Sequence, residues 1–302
     1  MEAADALIPA EDRKWVKRLR HGGPTPLLPD CVHASLNTWA SPPCHVFSVR
    51  DADYTQTKAK IPAAFDCLLH PLCFEFLQGP SQISHIMDHP HSRVRAALDV
   101  AICSEPHSQP FVWAFNFQLG NKTHRSMDMY FVSFHNPPKG SLMQKLLDGN
   151  DALRNDCLKL LLHLPEAPWL VQVTVGHRWP VCMLGKIMKC TYTREKHYME
   201  VDVDAASSML ARAAISLTFD LAPLMVADLA FVLEGIHPKE LPAERILGAV
   251  RLVHAEPSSA THVEPNPCEM NMHKVIMVPK SINRSFLSFR GRLSRILVLG
   301  SS

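Results

Sequence analysis

The sequence lacks the signatures that usually announce chemistry. It has no Gly-x-Ser-x-Gly elbow, and Leu184-Gly185-Lys186 lacks the upstream glycine of a phosphate-binding loop. A catalytic triad could still assemble from distant residues, but no motif argues for one, and the expectation is that the chain is not an enzyme. Its nine cysteines are odd in number and scattered, and none shows Cys-x-x-Cys spacing. Several, such as Cys157, Cys182 and Cys190, sit inside apolar runs, which suits free thiols in a reducing compartment better than a disulfide framework. Met1–Leu19 mixes Glu2, Asp5, Glu11, Asp12 and Arg13 and has no apolar h-region, so no secretory leader is expected. No run reaches about 18 uninterrupted apolar residues, which excludes a membrane-spanning helix. Neither sign of charge dominates: the net charge is +2, so any electrostatic function must lie in local patches. These absences predict a cytoplasmic protein, at most peripheral on the cytosolic face of a membrane.

What is present is an ordinary packed composition, 47% apolar and 20% charged over 302 residues. A chain of that length buries roughly three quarters of its unfolded surface and needs no metal or disulfide to stay folded. The pattern predicts a flexible lead-in over 1–36, with a short basic helix ended by the Gly/Pro-rich Gly22–Pro29 and no share in the core. Strands are expected at Val46–Val49, at Leu68–Leu77 with Pro71 pushing it to an edge or splitting it, and at Phe111–Leu119 and Met127–Phe134 as antiparallel neighbours. Further strands are expected at Trp169–Val175, Cys182–Tyr192, Tyr198–Val203, Leu224–Leu233 and Leu247–Val253. Helices are expected at Ser81–His89, Ser92–Ile102, Ser141–Leu147 and Asp151–Leu162, and from Ser207 or Ser208 towards Phe219. The last of these carries Met209, Leu210, Ala213, Ala214 and Leu217 as its apolar stripe. Strands come in runs rather than alternating with helices, which predicts an α+β fold: a mainly antiparallel, twisted sheet with packed helices, a START-like helix-grip among the shapes it allows. Pro257–Pro267 reads as a linker.

Four groups of residues invite a functional reading. Glu200, Asp202 and Asp204 alternate with Met199, Val201 and Val203, so the carboxylates share one strand face about 7 Å apart. They could hold a hard cation or act as an acid–base pair, but alternation by itself predicts a solvated outer face, with Arg154 and Lys159 as candidate ion-pair partners. Arg50, Lys58 and Lys60 make a basic cluster near Tyr54 that could grip a lipid phosphate or another anion; the plainer reading is surface charge with Arg50 in an ion pair. His85, His89 and His91 are the tightest group among seventeen histidines, yet Pro90 breaks the helix that would align them for zinc. Exposed histidines are expected, and neither a metal nor a cofactor. After Glu269 the chain carries Lys274, Lys280, Arg284, Arg290, Arg292 and Arg295, no acidic residue, and many interleaved apolar ones. Such a tail suits an anionic membrane surface, at about 1 kcal/mol per basic residue, or else finishes the core with its cations snorkelling to water. No matching basic stripe appears elsewhere, which argues against nucleic acid.

An ordered series of short motifs carries a resemblance. Trp39, Phe47-Ser48-Val49-Arg50, Tyr54, Lys58, Lys60 and Pro62 open it, and Phe115-Asn116-Phe117-Gln118, Tyr130-Phe131 and Leu147-Asp148-Gly149-Asn150-Asp151 continue it. Pro168-Trp169, Val175-Gly176, Leu184-Gly185-Lys186, Glu200-Val201-Asp202-Val203-Asp204, Val226-Ala227-Asp228 and Leu247-Gly248-Ala249-Val250-Arg251-Leu252 follow in order. Over Trp39–His254 the chain resembles the plant enhanced disease resistance C-terminal domain, a domain of unknown function. It departs from that pattern at an extra Ala243, at Ala167 where a glycine is expected, and at a proline missing after Leu119. In plant relatives this domain follows a phosphoinositide-binding pleckstrin-homology domain and a START domain, so the resemblance implies lipid or membrane work of a regulatory kind, here as a stand-alone version. The expected organisation is therefore the lead-in 1–36, this domain over 37–256, and a linker and basic apolar tail over 257–302. The expected function is non-enzymatic lipid binding or membrane association through Arg50, Tyr54, Lys58, Lys60, Arg284, Arg290, Arg292 and Arg295. The alternatives are a protein-interaction scaffold, or a hydrolase or transferase using Glu200, Asp202 or Asp204.

Overall fold

Alternation of large apolar with polar residues is strongest in the segments that form the longest strands. A computed structural model of the chain describes residues 8–28, 36–63, 67–104, 109–120, 124–176, 181–235, 240 and 244–265, all within one unit spanning residues 1–265. Its strands are β1 (Thr38–Ala40), β2 (Ser48–Arg50), β3 (Lys60–Pro62), β4 (His70–Gln78), β5 (Phe111–Gln118), β6 (Arg125–Ser133) and β7 (Leu158–Glu166). They continue with β8 (Val181–Met183), β9 (Lys189–Arg194), β10 (Tyr198–Asp204), β11 (Val226–Leu233), β12 (Ile246–Val253) and β13 (Thr261–His262). The helices are α1 (Arg13–His21), α2 (Tyr54–Thr57), α3 (Arg93–Ser104), α4 (Leu142–Asp148), α5 (Asp151–Cys157), α6 (Trp169–Val171), α7 (Leu184–Ile187) and α8 (Met209–Asp220). The fold is α+β.

Instead of one sheet gripping a helix there are two. A six-stranded sheet runs β13-β4-β6-β5-β10-β9 and a five-stranded sheet runs β1-β12-β11-β7-β8, while among the described residues β2 and β3 pair only with each other. Pairing is antiparallel except β10 with β5 and β13 with β4. Pro71 sits at a register shift near the start of β4, whose side away from β6 is met, among the described residues, by the two-residue β13 and a bridge from Thr25 to Phe74, so the proline lies at a sheet margin. The two large sheets pack face to face through aromatic rings: Phe115 stacks on Phe231 at 3.7 Å between centroids, and Phe131 meets both edge-on. Gly248 lets them close, because a Cβ there would stand 2.7 Å from Phe131 Cδ1.

Several expectations are corrected. The lead-in contributes to the core: Ile8, Trp15, Val16, Leu19 and Leu27 are buried in the main apolar cluster, and α1 lies against β4 and α3. Trp15, Val16 and Leu19 fall on one side of α1, and Trp15 Nε1 donates to the buried Asp12 at 2.6 Å. The expected helix Asp151–Leu162 stops at Cys157 and becomes β7, with Leu158, Leu160 and Leu162 facing the main cluster and Leu161 the opposite side. Residues 169–176 are helical rather than extended, α6 running on as a π-type turn. The Cys182–Tyr192 strand is interrupted by α7. Ser81–His89 is no helix; its amides are used elsewhere, as described below. Part of the expected linker also packs, since Val263 is buried and 261–262 pair with β4. Arg284, Arg290, Arg292 and Arg295 lie outside the described residues.

Candidate functional site

The acidic strand face is buried, which overturns the solvated outer face. Glu200 and Asp202 are 1% and 5% exposed. Register aligns Glu75, Asp128, Asn116 and Asp202 in one row across β4, β6, β5 and β10. The segment 82–93 covers this row and is bound by it and by Glu200, two residues before Asp202 on β10. Ile86 N and Met87 N donate to the two oxygens of Glu200 at 2.8 and 2.9 Å, and Asn116 Nδ2 bridges Ile83 O and Asp202 Oδ1. Amide groups held by carboxylates cannot close a helix, and His85 turns left-handed (φ 53°) to present them. Arg154 and Lys159 pair elsewhere, Arg154 with Leu146 O, Leu147 O and Asp151, and Lys159 with Glu244 and Glu234.

Burial, then the neighbouring Asp202 charge, pushes the Glu200 carboxyl well above its usual range, and burial likewise raises Asp202. Asp128 is raised by burial and by the charges of Glu75 and Asp202. Atoms of His85, Glu200 and Asp202 lie within 4.8 Å of one another, a spacing that could admit a small cation. The carboxylates already accept backbone and amide protons and favour a retained proton, so the row acts as a brace for the 82–93 segment.

The basic cluster does assemble. β2 and β3 place Arg50 opposite Lys60, and both the Arg50 guanidinium (4.8 Å) and Lys58 Nζ (5.5 Å) lie over the Tyr54 ring. Arg50 is paired with Glu234, and its amide donates to Glu244, which also holds Lys159. The arginine is therefore a structural clamp of the hairpin, and the exposed Lys58 and Lys60 are the cations it turns to solvent.

Sequence reasoning missed an apolar cavity of about 170 Å³ between the two large sheets. Phe76, Phe117 and Met127 wall it from one sheet and Leu160, Leu162 and Leu229 from the other. Helix α8 closes it with Ala211, Ala214, Ile215, Thr218 and Phe219. Its one hydroxyl, Thr218 Oγ1, donates within its own helix to Ala214 O at 2.6 Å. A cavity of this size with an almost wholly apolar lining and its hydroxyl already bonded suits apolar molecules better than water.

The orientation of α8 keeps Ala214 and Leu217 of the expected stripe on the packed side and corrects the rest. Met209 and Leu210 are 77% and 66% exposed, while two alanines face the interior. Ser208 accepts from Ala211 N and so fixes where the helix begins. Other elements beside the cavity share the pattern: Trp169, Leu170 and Val173 on the α6 turn and Leu224 after α8 are also exposed. Outside α8 a groove of about 350 Å³ includes the exposed Arg212 and shares Leu119, Ile215 and Phe219 with the cavity. The spacing Ala211, Ala214, Ile215, Thr218, Phe219 is helical and legible, but it competes with a more apolar stripe beside it. Among the described residues no helix is long and apolar enough to cross a membrane.

Comparison with known proteins agrees with the ordered motifs. The family described as "Protein ENHANCED DISEASE RESISTANCE 2, C-terminal" matches residues 39–256. The chain is 34% identical over 230 residues to "Protein ENHANCED DISEASE RESISTANCE 2-like" of Arabidopsis thaliana, a match covering 76% of this chain and 30% of that relative. No solved structure matches it.

Proposed function

Because the chain belongs to the ENHANCED DISEASE RESISTANCE 2 C-terminal family, we propose that it is a non-enzymatic, lipid-binding regulatory module that takes an apolar chain between its two sheets. The observation that supports this reading is the orientation of α8. The helix keeps Met209 and Leu210 exposed and turns the smaller Ala211 and Ala214 inward beside Ile215 and Phe219. Its small inward residues leave a partly open apolar pocket of about 170 Å³. A bound acyl chain or ring system would fill it and bury apolar surface on both sides. Arg212, which shares the adjoining groove with Asp220, would meet an anionic headgroup in this reading. Catalysis forms no part of the proposal, since Glu200 and Asp202 lie beneath the 82–93 segment and outside the cavity.

Equilibrium binding of a fluorescent fatty acid, with displacement by unlabelled fatty acid, lysophospholipid and sterol, tests the proposal. Saturable binding is expected in the wild type. Ala214→Phe, which fills the cavity, should abolish it while melting no lower than the wild type. Absence of binding to every apolar probe would overturn the reading and favour a scaffold that meets a protein partner through the exposed apolar residues. Binding that Ala214→Phe leaves unchanged would place any lipid elsewhere.

A further inference from the structure

The sulfurs of Cys44 and Cys67 lie 2.7 Å apart, 23 positions apart in the chain. A covalent sulfur–sulfur bond is about 2.05 Å long, so only a small movement separates these side chains from one. Cys44 opens the short turn Cys44–Val46 that leads into β2. Cys67 directly precedes Leu68 and Leu69, whose amides donate to Ile246 O and Leu247 O at the start of β12. One sulfur therefore rides on the β2–β3 hairpin and the other is anchored beside the five-stranded sheet. Both side chains are half-buried, within reach of a small oxidant and shielded from larger ones.

We propose that Cys44 and Cys67 form a reversible disulfide, a modification site that clamps the β2–β3 hairpin to the sheet beneath it. A hydroperoxide is the oxidant by class. One thiolate attacks the peroxide oxygen and becomes a sulfenic acid, releasing water in the case of hydrogen peroxide. The second thiol then attacks that sulfur and a second water leaves. Overall two thiols and one hydrogen peroxide give one disulfide and two waters, the sulfurs losing the two electrons that the peroxide gains. A dithiol reverses the step by exchange.

Among the described residues, selectivity follows from where the other cysteines sit. Cys73 and Cys157 are buried, and burial raises the thiols of Cys182 and Cys190 to about 11 and about 12, so few of them are thiolates at neutral pH. Cys103 is exposed but is not paired with a second sulfur in the structure. The consequence of closure is local. The hairpin strands pair only with each other and are held by Phe47, Val49 and Ala63 on the outer side of the five-stranded sheet. The ring made by the disulfide would contain all of Arg50, Tyr54, Lys58 and Lys60, so oxidation would fix the basic cluster in place.

The test is peptide mapping by mass spectrometry of the full chain after hydrogen peroxide, with remaining thiols alkylated before digestion. A Cys44–Cys67 cross-linked peptide that dithiothreitol removes is expected, with a rise in Tm of about 5–10 °C from the closed loop. Cys44→Ser and Cys67→Ser should each lose that rise, whereas Cys103→Ser should keep it. Recovery of Cys44 and Cys67 as separately alkylated thiols, as sulfinic acids, or joined to any other cysteine would overturn the proposal.

Discussion

Asp128 is fully buried, and its Oδ2 accepts from Ser126 Oγ at 2.7 Å while its Oδ1 has no partner. Its register partner Asn116 also has an unpartnered oxygen, because the Asn116 amide nitrogen is committed to Ile83 and Asp202. A proton on Asp128 removes a buried charge whose Oδ1 no donor meets, and burial raises that carboxyl above its ordinary 3.8. The sign for stability follows. Between 3.8 and the raised value the folded state holds a proton that the unfolded state has released, so this group's contribution falls as pH rises through that window. Asp128→Asn supplies a permanent donor and removes the titration. The variant should match the wild type near pH 4 and exceed it increasingly towards pH 8, by on the order of 1–3 kcal/mol. Melting curves at those two pH values check this, and a pH-independent difference would mean that Asp128 is ionised in the fold. The alternation of Glu200, Asp202 and Asp204 made a shared face readable. Which side of the sheet is covered was not readable, because it depends on where the distant 82–93 segment lands.

At the scale of elements, strands were legible where alternation had no rival, as in β5, β6, β10, β11 and β12. Leu158–Leu162 fits both periods, since leucine favours helix and the residues at 153, 157, 160, 161 and 164 also trace a helical stripe. Tertiary pairing with β11 decides for strand, with Lys159 turned to Glu244 and His163 Nδ1 to Asp228 Oδ2 at 2.9 Å. Ser81–His89 had helical spacing but lost its amides to buried carboxylates. Helix α1 was seen, yet its place was misjudged because a Gly/Pro-rich break looks the same whether the preceding helix is free or docked. Docking is testable. Val16 is 1% exposed, so Val16→Ala should lower stability by about 1–3 kcal/mol in urea unfolding. A loss below about 0.5 kcal/mol, typical of surface sites, would mean that α1 is not part of the core.

Over the whole molecule, charge and apolar surface are distributed unevenly. Among the described residues nine large apolar side chains are exposed, and six of them (Trp169, Leu170, Val173, Met209, Leu210 and Leu224) sit on the elements around the apolar cavity. Exposed apolar side chains cost solubility unless they meet something, and a tryptophan with an apolar body and one N–H suits a lipid–water boundary. A docked face of this kind would let a chain pass between bilayer and cavity without crossing water. The proposed lipid module should therefore sediment with liposomes, and Trp169 emission should shift to the blue on binding. Leu210→Ser together with Leu224→Ser should weaken sedimentation at least tenfold while leaving the fluorescent fatty acid bound, because these residues line neither the cavity nor the adjoining groove. Charge contributes separately: Lys58→Glu with Lys60→Glu should matter only on anionic vesicles and fade with added salt. If the serine pair leaves sedimentation unchanged, the apolar rim is not the docking face, and its exposed residues are better explained by a protein partner.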